Sequence, residues 1–217
     1  MKKAAEYLET FDLEGNYLED IEREKFYKEI REEFAKTGRI TRQVKTIRLF
    51  LLNSEGRLYL QKRSKIKDEN SGLYDKTIGG HVYASHSYEV TVTKECAEEL
   101  GFPAAVLSGD DFKKAVKRTD LDIVGLFREV SVQNKFMSLR IGKNGEIFSQ
   151  PLICAFYVGY FNGPIKFVDG ECSGIETFSI DELEAEMKAN PMKFTNDTKV
   201  MYEKYKKYLV PLRQVKK

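Results

Sequence analysis

The sequence predicts an α+β fold in which a mixed β-sheet is covered by helices. Three observations carry that reading. Apolar, β-branched and aromatic runs suited to strands recur at residues 44–52, 57–63, 122–132, 135–141 and 147–161. Helical periodicity is confined to a few segments, chiefly residues 20–36, 87–100 and 195–208. The strands do not alternate regularly with helices, so a doubly wound parallel sheet is not expected.

In order along the chain, residues 6–17 partly alternate apolar and polar and contain a Gly-Asn turn signal, which suits a short strand or hairpin. Residues 20–36 place Ile21, Phe26, Tyr27, Ile30 and Phe34 at helical spacing and stop before Gly38. VKTIRLFLL (44–52) reads as a strand buried on at least one face, followed by an Asn53–Gly56 hairpin loop and a second strand at 57–63. A polar loop (64–74) leads back towards a strand at 75–83, and a helix follows at 87–100. The first half of that helix, Val90-Thr91-Val92-Thr93, is β-branched, so only packing would hold it helical. A linker at 104–118 has room for a short helix around 111–116. The three long β-like runs come next, with a turn at 142–145, and then a short strand at 174–179. Ser179 with Glu182 forms a capping box that opens a helix to about Lys188, broken at Asn190-Pro191. Phe50, Tyr59, Phe127, Phe136, Phe156, Tyr157 and Tyr160 are expected mostly in the core.

The 217 residues are read as a single domain, with 1–40 an N-terminal extension packed on the core and 190–217 a C-terminal helix and basic tail. Thirty-six basic residues against 34 acidic leave a net charge of +2, too balanced to predict nucleic-acid binding. The N-terminal stretch lacks an apolar signal region. The longest apolar run, ten residues at 152–161, is far short of the ~20 that span a membrane. Cys96, Cys154 and Cys172 show no metal spacing, which suits reduced thiols in a cytoplasmic protein.

The chemistry-bearing stretch is residues 79–102, GGHVYASHSYEVTVTKECAEELGF. Glu95, Glu98 and Glu99 stand at i, i+3 and i+4, one turn apart on one helical face. Carboxylates so close repel unless a cation lies among them, and an all-oxygen set suits Mg²⁺, Mn²⁺ or Ca²⁺. Laid over Gly80 to Phe102, this stretch resembles the Nudix box, matching at Gly80, Glu95, Glu98, Glu99 and Gly101. It departs where the box has its first Glu, here His86, and its Arg, here Lys94. Lysine is a point charge without the planar fork of arginine.

The flanks FDLEGNYL, LFLLNSEGRLYLQKRS, GLYDKTIGGHV and SIDELEAEMKANPMKFT are similar to Nudix proteins related to isopentenyl-diphosphate isomerase. The resemblance implies a Nudix fold and Mg²⁺- or Mn²⁺-dependent hydrolysis of a diphosphate linkage, in a nucleoside-diphosphate or other small organic diphosphate. Glu95, Glu98 and Glu99 would hold metal and carry catalysis, while Arg63, Lys67 and Gly80 would contact substrate. Isomerase chemistry is disfavoured, because the position of its cysteine is Gly79 and Glu146 has no second acid beside it. The rival reading is a Nudix domain that binds a phosphorylated ligand or partner without turnover. The expected partner is a small-molecule diphosphate, with no membrane and no nucleic acid, and a homodimer is left open. His81 is expected as a structural hydrogen-bonding residue ahead of a ligand.

Overall fold

The computed structural model describes residues 5–142, 144–166 and 172–212. β1 (Tyr7–Asp12) and β2 (Tyr17–Glu22) form the N-terminal hairpin. Asp12 closes its turn by accepting the backbone N–H groups of Glu14 (2.9 Å) and Asn16 (2.8 Å). Helix α1 (Arg23–Thr37) follows, burying Phe26 and Ile30, and ends at Gly38 in the left-handed region (φ 69°). The helix expected from residue 20 therefore starts three residues later. Asp20, Ile21 and Glu22 pair across to Glu9, Leu8 and Tyr7, and those ladder hydrogen bonds outweigh the helical spacing of Ile21.

The sheet is organised around β3 (Arg42–Leu52). It pairs antiparallel with β1, with β4 (Leu58–Arg63) and with β6 (Ile78–His81), and parallel with β9 (Ile147–Tyr160). The two-residue β5 (Tyr74–Asp75) pairs with β4. The principal strand order is β10-β4-β3-β9-β8-β7, with β7 (Ala104–Val106), β8 (Gly125–Ile141) and β10 (Cys172–Phe178). The runs 122–132 and 135–141 are thus not separate strands. They are one strand bent by bulges, with Lys135 in the left-handed region (φ 56°), while residues 122–124 precede it in a turn.

Alternation along β3 sends Ile47, Leu49 and Leu51 to one face and Val44, Phe50 and Leu52 to the other. Helix α2 (Tyr88–Glu99) covers the first face with Val92 and Cys96. The second is covered by α1, α3 (Gly109–Ala115), α4 (Ile180–Ala189) and α5 (Asn196–Tyr205), through Phe26, Ile30, Phe112, Leu183, Met201 and Tyr202. Of the aromatics expected in the core, Tyr59 is half-buried and the rest are buried. The Ser179–Glu182 capping box forms in full. The expected basic tail lies outside the described residues from 213 onward. No described helix is long and apolar enough to cross a membrane.

Candidate active site

Packing decides which way α2 faces. Ser87 caps it, accepting the Val90 N–H at 3.2 Å, and the Thr91 hydroxyl donates to the Ser87 carbonyl at 2.9 Å. Thr91, Val92 and Cys96 are buried against the sheet, which is why a β-branched stretch stays helical. The same rotation leaves Glu95 and Glu99 half-buried and Glu98 exposed. Burial, then the Glu99 and Glu95 carboxylates, raise the Cys96 thiol well above its ordinary range, so it is inert.

Strand β6 lies beneath this helix, with Gly80 opposite Ile47 of β3. A Cβ on Gly80 would sit 2.6 Å from Glu95 Oε1, 2.7 Å from its Cδ and 2.8 Å from its Cγ. The bare backbone of Gly80 is therefore the seat of the Glu95 carboxylate. Lys94 lies 3.5 Å from Glu98 Oε2 and 4.5 Å above the Tyr83 ring. His86 is exposed, donating its backbone N–H to Tyr83 O (3.0 Å). Gly80→Ala is expected to cost about 10²-fold in turnover by displacing Glu95, because misplacement of a catalytic group by about 1 Å has that effect. Its melting temperature should stay near wild type, since a carboxylate end can swing aside. Parallel activity and thermal-melt measurements check this.

The donor set suits a hard divalent cation, being three carboxylates with no thiolate and no imidazole among them. Their side chains are not gathered, however. The described residues contain no group of three or more His, Cys, Asp or Glu placed to hold a metal ion. The seat of Glu95 on Gly80 fits the metal-site reading, whereas Glu98, with its side chain 59% exposed and paired with Lys94, has to turn to join it.

On the opposite face of β6 lies a cavity of about 310 Å³. It is bounded by Arg23, Tyr27 and Arg31 of α1, Thr46 and Arg48 of β3, Arg63 at the end of β4, and Lys67, Asp68 and Glu69 of the next loop. Lys76, Gly79, Gly80, His81 and Arg140 complete it. Seven cationic side chains and two carboxylates line it, and six of the cations are ion-paired: Arg23 with Glu6, Arg31 and Arg140 with Glu69, Arg48 with Asp197, and Arg63 and Lys76 with Asp75. Burial, then the Arg23, Arg140 and Arg48 guanidiniums, push the His81 imidazole down to about 3. It therefore stays neutral and shares a hydrogen bond with the Tyr27 hydroxyl, the structural role expected for it.

A buried ion network supports this floor. Arg48 Nη2 meets Asp197 Oδ2 at 2.8 Å and donates to Ser138 Oγ at 3.1 Å, and Ser138 donates onward to Asp197 at 2.7 Å. Asp75 accepts from Thr195 (2.8 Å) and Thr198 (3.1 Å) at the start of α5 and pairs with Lys76 (2.9 Å) and Arg63 (3.3 Å). Against the cost of burial, Lys76 and Arg63 hold the Asp75 carboxyl far below the usual carboxylate range. Burial, opposed by Asp75 and reinforced by Arg48, pushes the Lys76 ammonium down to about 8. Its stem crosses Gly79 so closely that a side chain there would run into the Lys76 methylene beside the ammonium.

Arg63, Lys67 and Gly80, singled out from the sequence, thus meet in one cavity. Arg63 is partly committed, since its Nε and Nη2 donate to the Glu69 carbonyl at 3.2 and 3.0 Å. Glu95 reaches Gly80 from the far face, and Glu98 and Glu99 are not in the cavity wall. Arg23, Tyr27, Arg31, Arg48, Lys76 and Arg140 were not legible as site residues. Only Arg48 carried a signal: a lone charge inside the apolar stretch 47–52 has to find a buried partner.

The fold is a mixed sheet between helices, with Gly80 seating Glu95 of α2 on one side of β6 and a cavity rich in cationic side chains on the other. The NUDIX domain pattern matches residues 42–198, and the chain belongs to the Nudix family. A Nudix hydrolase of Deinococcus radiodurans is 33% identical over 66 residues, which span 30% of this chain and 39% of that protein. An isopentenyl-diphosphate Delta-isomerase of Serratia proteamaculans is 26% identical over 148 residues, 68% of each chain. The crystal structure of DR0079 from D. radiodurans superposes with a TM-score of 0.61 at 18% identity, covering 92% of this chain and 98% of that one. The NUDIX domain of Shewanella oneidensis NrtR, complexed with ADP ribose, gives 0.50 at 13% identity, covering 82% and 98%. These structural likenesses show the fold alone.

Proposed function

We propose that this protein is a Mg²⁺- or Mn²⁺-dependent hydrolase of a diphosphate linkage in a nucleoside-diphosphate or other small organic diphosphate, acting in the cytoplasm. The observation that carries the reading is Gly80, which seats Glu95 on one face and borders the cationic cavity on the other. A diphosphate held in the cavity would meet the carboxylate-bearing helix across a single strand. Glu95, Glu98 and Glu99 would hold the metal, which when bound neutralises phosphate charge and lowers the pKa of a coordinated water. Arg63, Lys67 and Lys76 would grip the phosphates, Arg63 with the N–H groups not given to Glu69 and Asp75. Tyr27 and neutral His81 would fix the wall at β6. Isomerase chemistry is not supported at Gly79, where the Lys76 stem fills the space a reactive side chain would need.

A second reading, a Nudix domain that binds its ligand without efficient turnover, draws on the pairing of Lys94 with Glu98 and on His86. Assay of the protein with Mg²⁺ or Mn²⁺ across a panel of nucleoside diphosphates and their derivatives separates the two. Release of phosphate products supports the hydrolase, and binding without release supports the second reading. Lys94→Arg with His86→Glu should raise the rate, and a fall would show a site tuned to its own residues.

Lys76 gives a pH signature. It contributes a full positive charge below its value of about 8 and loses it above. Affinity for a diphosphate should therefore weaken on the alkaline side, up to about tenfold per pH unit, and Lys76→Met should bind more weakly but without that limb. Titrations from pH 7 to 10 with a diphosphate diester, whose own charge is constant there, measure it.

A further inference from the structure

The counter-ions of the cationic cavity are not placed alike. Glu6, Asp75 and Asp197 pair with Arg23, with Arg63 and Lys76, and with Arg48 from outside the cavity lining. Glu69 stands in the wall itself. Its two oxygens take one arginine each, Arg31 of α1 at 3.1 Å and Arg140 of β8 at 3.1 Å. An entering anion can therefore approach Arg48, Arg63 and Lys76 without meeting their carboxylates. At Arg31 and Arg140 it competes with Glu69 for the same space.

The contact is of a kind that a phosphate group can replace. Each guanidinium meets Glu69 through a single N–H, short of the paired fork that arginine offers an oxyanion. Arg140 Nε is buried and has no hydrogen-bond partner among the described residues. The Arg31 side chain is 57% exposed, so its pair with Glu69 is weak. A phosphate brings more oxygens and more charge than one carboxylate, and so satisfies donors that Glu69 leaves unmet.

The loop that carries Glu69 does not depend on that carboxylate. The Glu69 carbonyl is held by Arg63 at the end of β4, and the next residue is held by β8. Asn70, buried and in the left-handed region (φ 52°), donates its N–H to the Ile141 carbonyl at 2.8 Å and accepts the Ile141 N–H on Oδ1 at 3.2 Å. Backbone anchors thus fix the loop, and the Glu69 side chain can swing aside without releasing it. We infer that Glu69 is a resident counter-ion, whose carboxylate occupies Arg31 and Arg140 until an entering phosphate group displaces it. It thereby lowers the affinity of the site and sets the ligand concentration at which the site fills. The inference rests on the diphosphate reading of the cavity. A strut that positions the two arginines for ligand would have the opposite sign.

Calorimetric titration with methylenediphosphonate and Mg²⁺ tests it. Glu69→Gln keeps the shape and removes the charge, and should bind about fivefold or more tightly than wild type, the scale of one ion pair given up on binding. Glu69→Ala, which leaves the backbone anchors in place, should tighten binding similarly. Arg140 is the more buried partner, so the gain from Glu69→Gln should shrink to about twofold or less in an Arg140→Met background. Unchanged or weaker binding by the charge-free variants would overturn the inference and make Glu69 a strut. A gain that persists in full without Arg140 would overturn it too, as plain repulsion of the ligand. Failure of wild type and both Glu69 variants to bind methylenediphosphonate would instead sink the diphosphate reading, and the counter-ion with it.

Discussion

Glu98→Gln and Glu99→Gln are each expected to lower the hydrolysis rate at least about 10²-fold, because loss of a metal ligand exceeds the 10- to 100-fold cost of losing the shell behind one. The substitution keeps shape and removes only charge, and Glu98 is exposed, so the fold has little to lose. Glu98→Gln gives up the exposed pair with Lys94, worth only about 0.2–0.5 kcal/mol, and relief of repulsion along α2 offsets a loss of that size. The prediction therefore separates sharply from a structural one: rates fall while melting temperatures hold. Steady-state kinetics with Mg²⁺ and a thermal melt of each variant suffice. An unchanged rate at both positions would place the metal elsewhere.

The second large effect is on stability. Asp197→Ala strands the Arg48 guanidinium, whose side chain is only 4% exposed, without its carboxylate. Breaking a buried pair from one side typically costs about 3–5 kcal/mol. For a chain of this size that is a melting temperature lower by about 6–20 °C. Arg48→Met with Asp197→Leu removes both charges and should recover much of the loss, but not the activity, because Arg48 also lines the cationic cavity proposed to hold the diphosphate. Thermal unfolding of the single and double variants checks the first part and diphosphate binding the second. A single variant that melts like wild type would mean that water or Ser138 compensates Arg48 unaided.

Much of the fold was legible because its signals are local. The β3–β4 hairpin followed from its apolar run and turn, and the start of α4 from Ser179 and Glu182. The β8 bulges were not, because Asn134-Lys135 looks like a break between strands until the partner strand is seen to continue past it. Residues 20–22 went to β2 because pairing partners in β1 lie outside any local window.

The site divides in the same way. The glutamates of α2, Gly80, Arg63 and Lys67 stand in or near one contiguous stretch with fixed spacing, and the structure puts Gly80 against Glu95 and Arg63 beside Lys67. The α1 contribution was hidden, because Arg23 and Arg31 read as solvated charges on an amphipathic helix. Only the docking of the N-terminal extension over β3 and β6 turns them toward a cavity. Lys76 was hidden for a related reason, as its burial depends on Asp75, which is itself fixed by threonines 120 and 123 residues away.

On the proposed function, the α2 carboxylates and the cationic cavity form one diphosphate site joined at Gly80. A crystal grown with Mn²⁺ and α,β-methylene-ADP tests it most directly, through the anomalous signal of the metal and the density of the bisphosphonate. The metal should be held by Glu95 together with Glu98 or Glu99, with phosphonate oxygens beside Arg63, Lys67 and Lys76. Metal bound away from α2, or the bisphosphonate outside the cavity lined by Gly80, would contradict it.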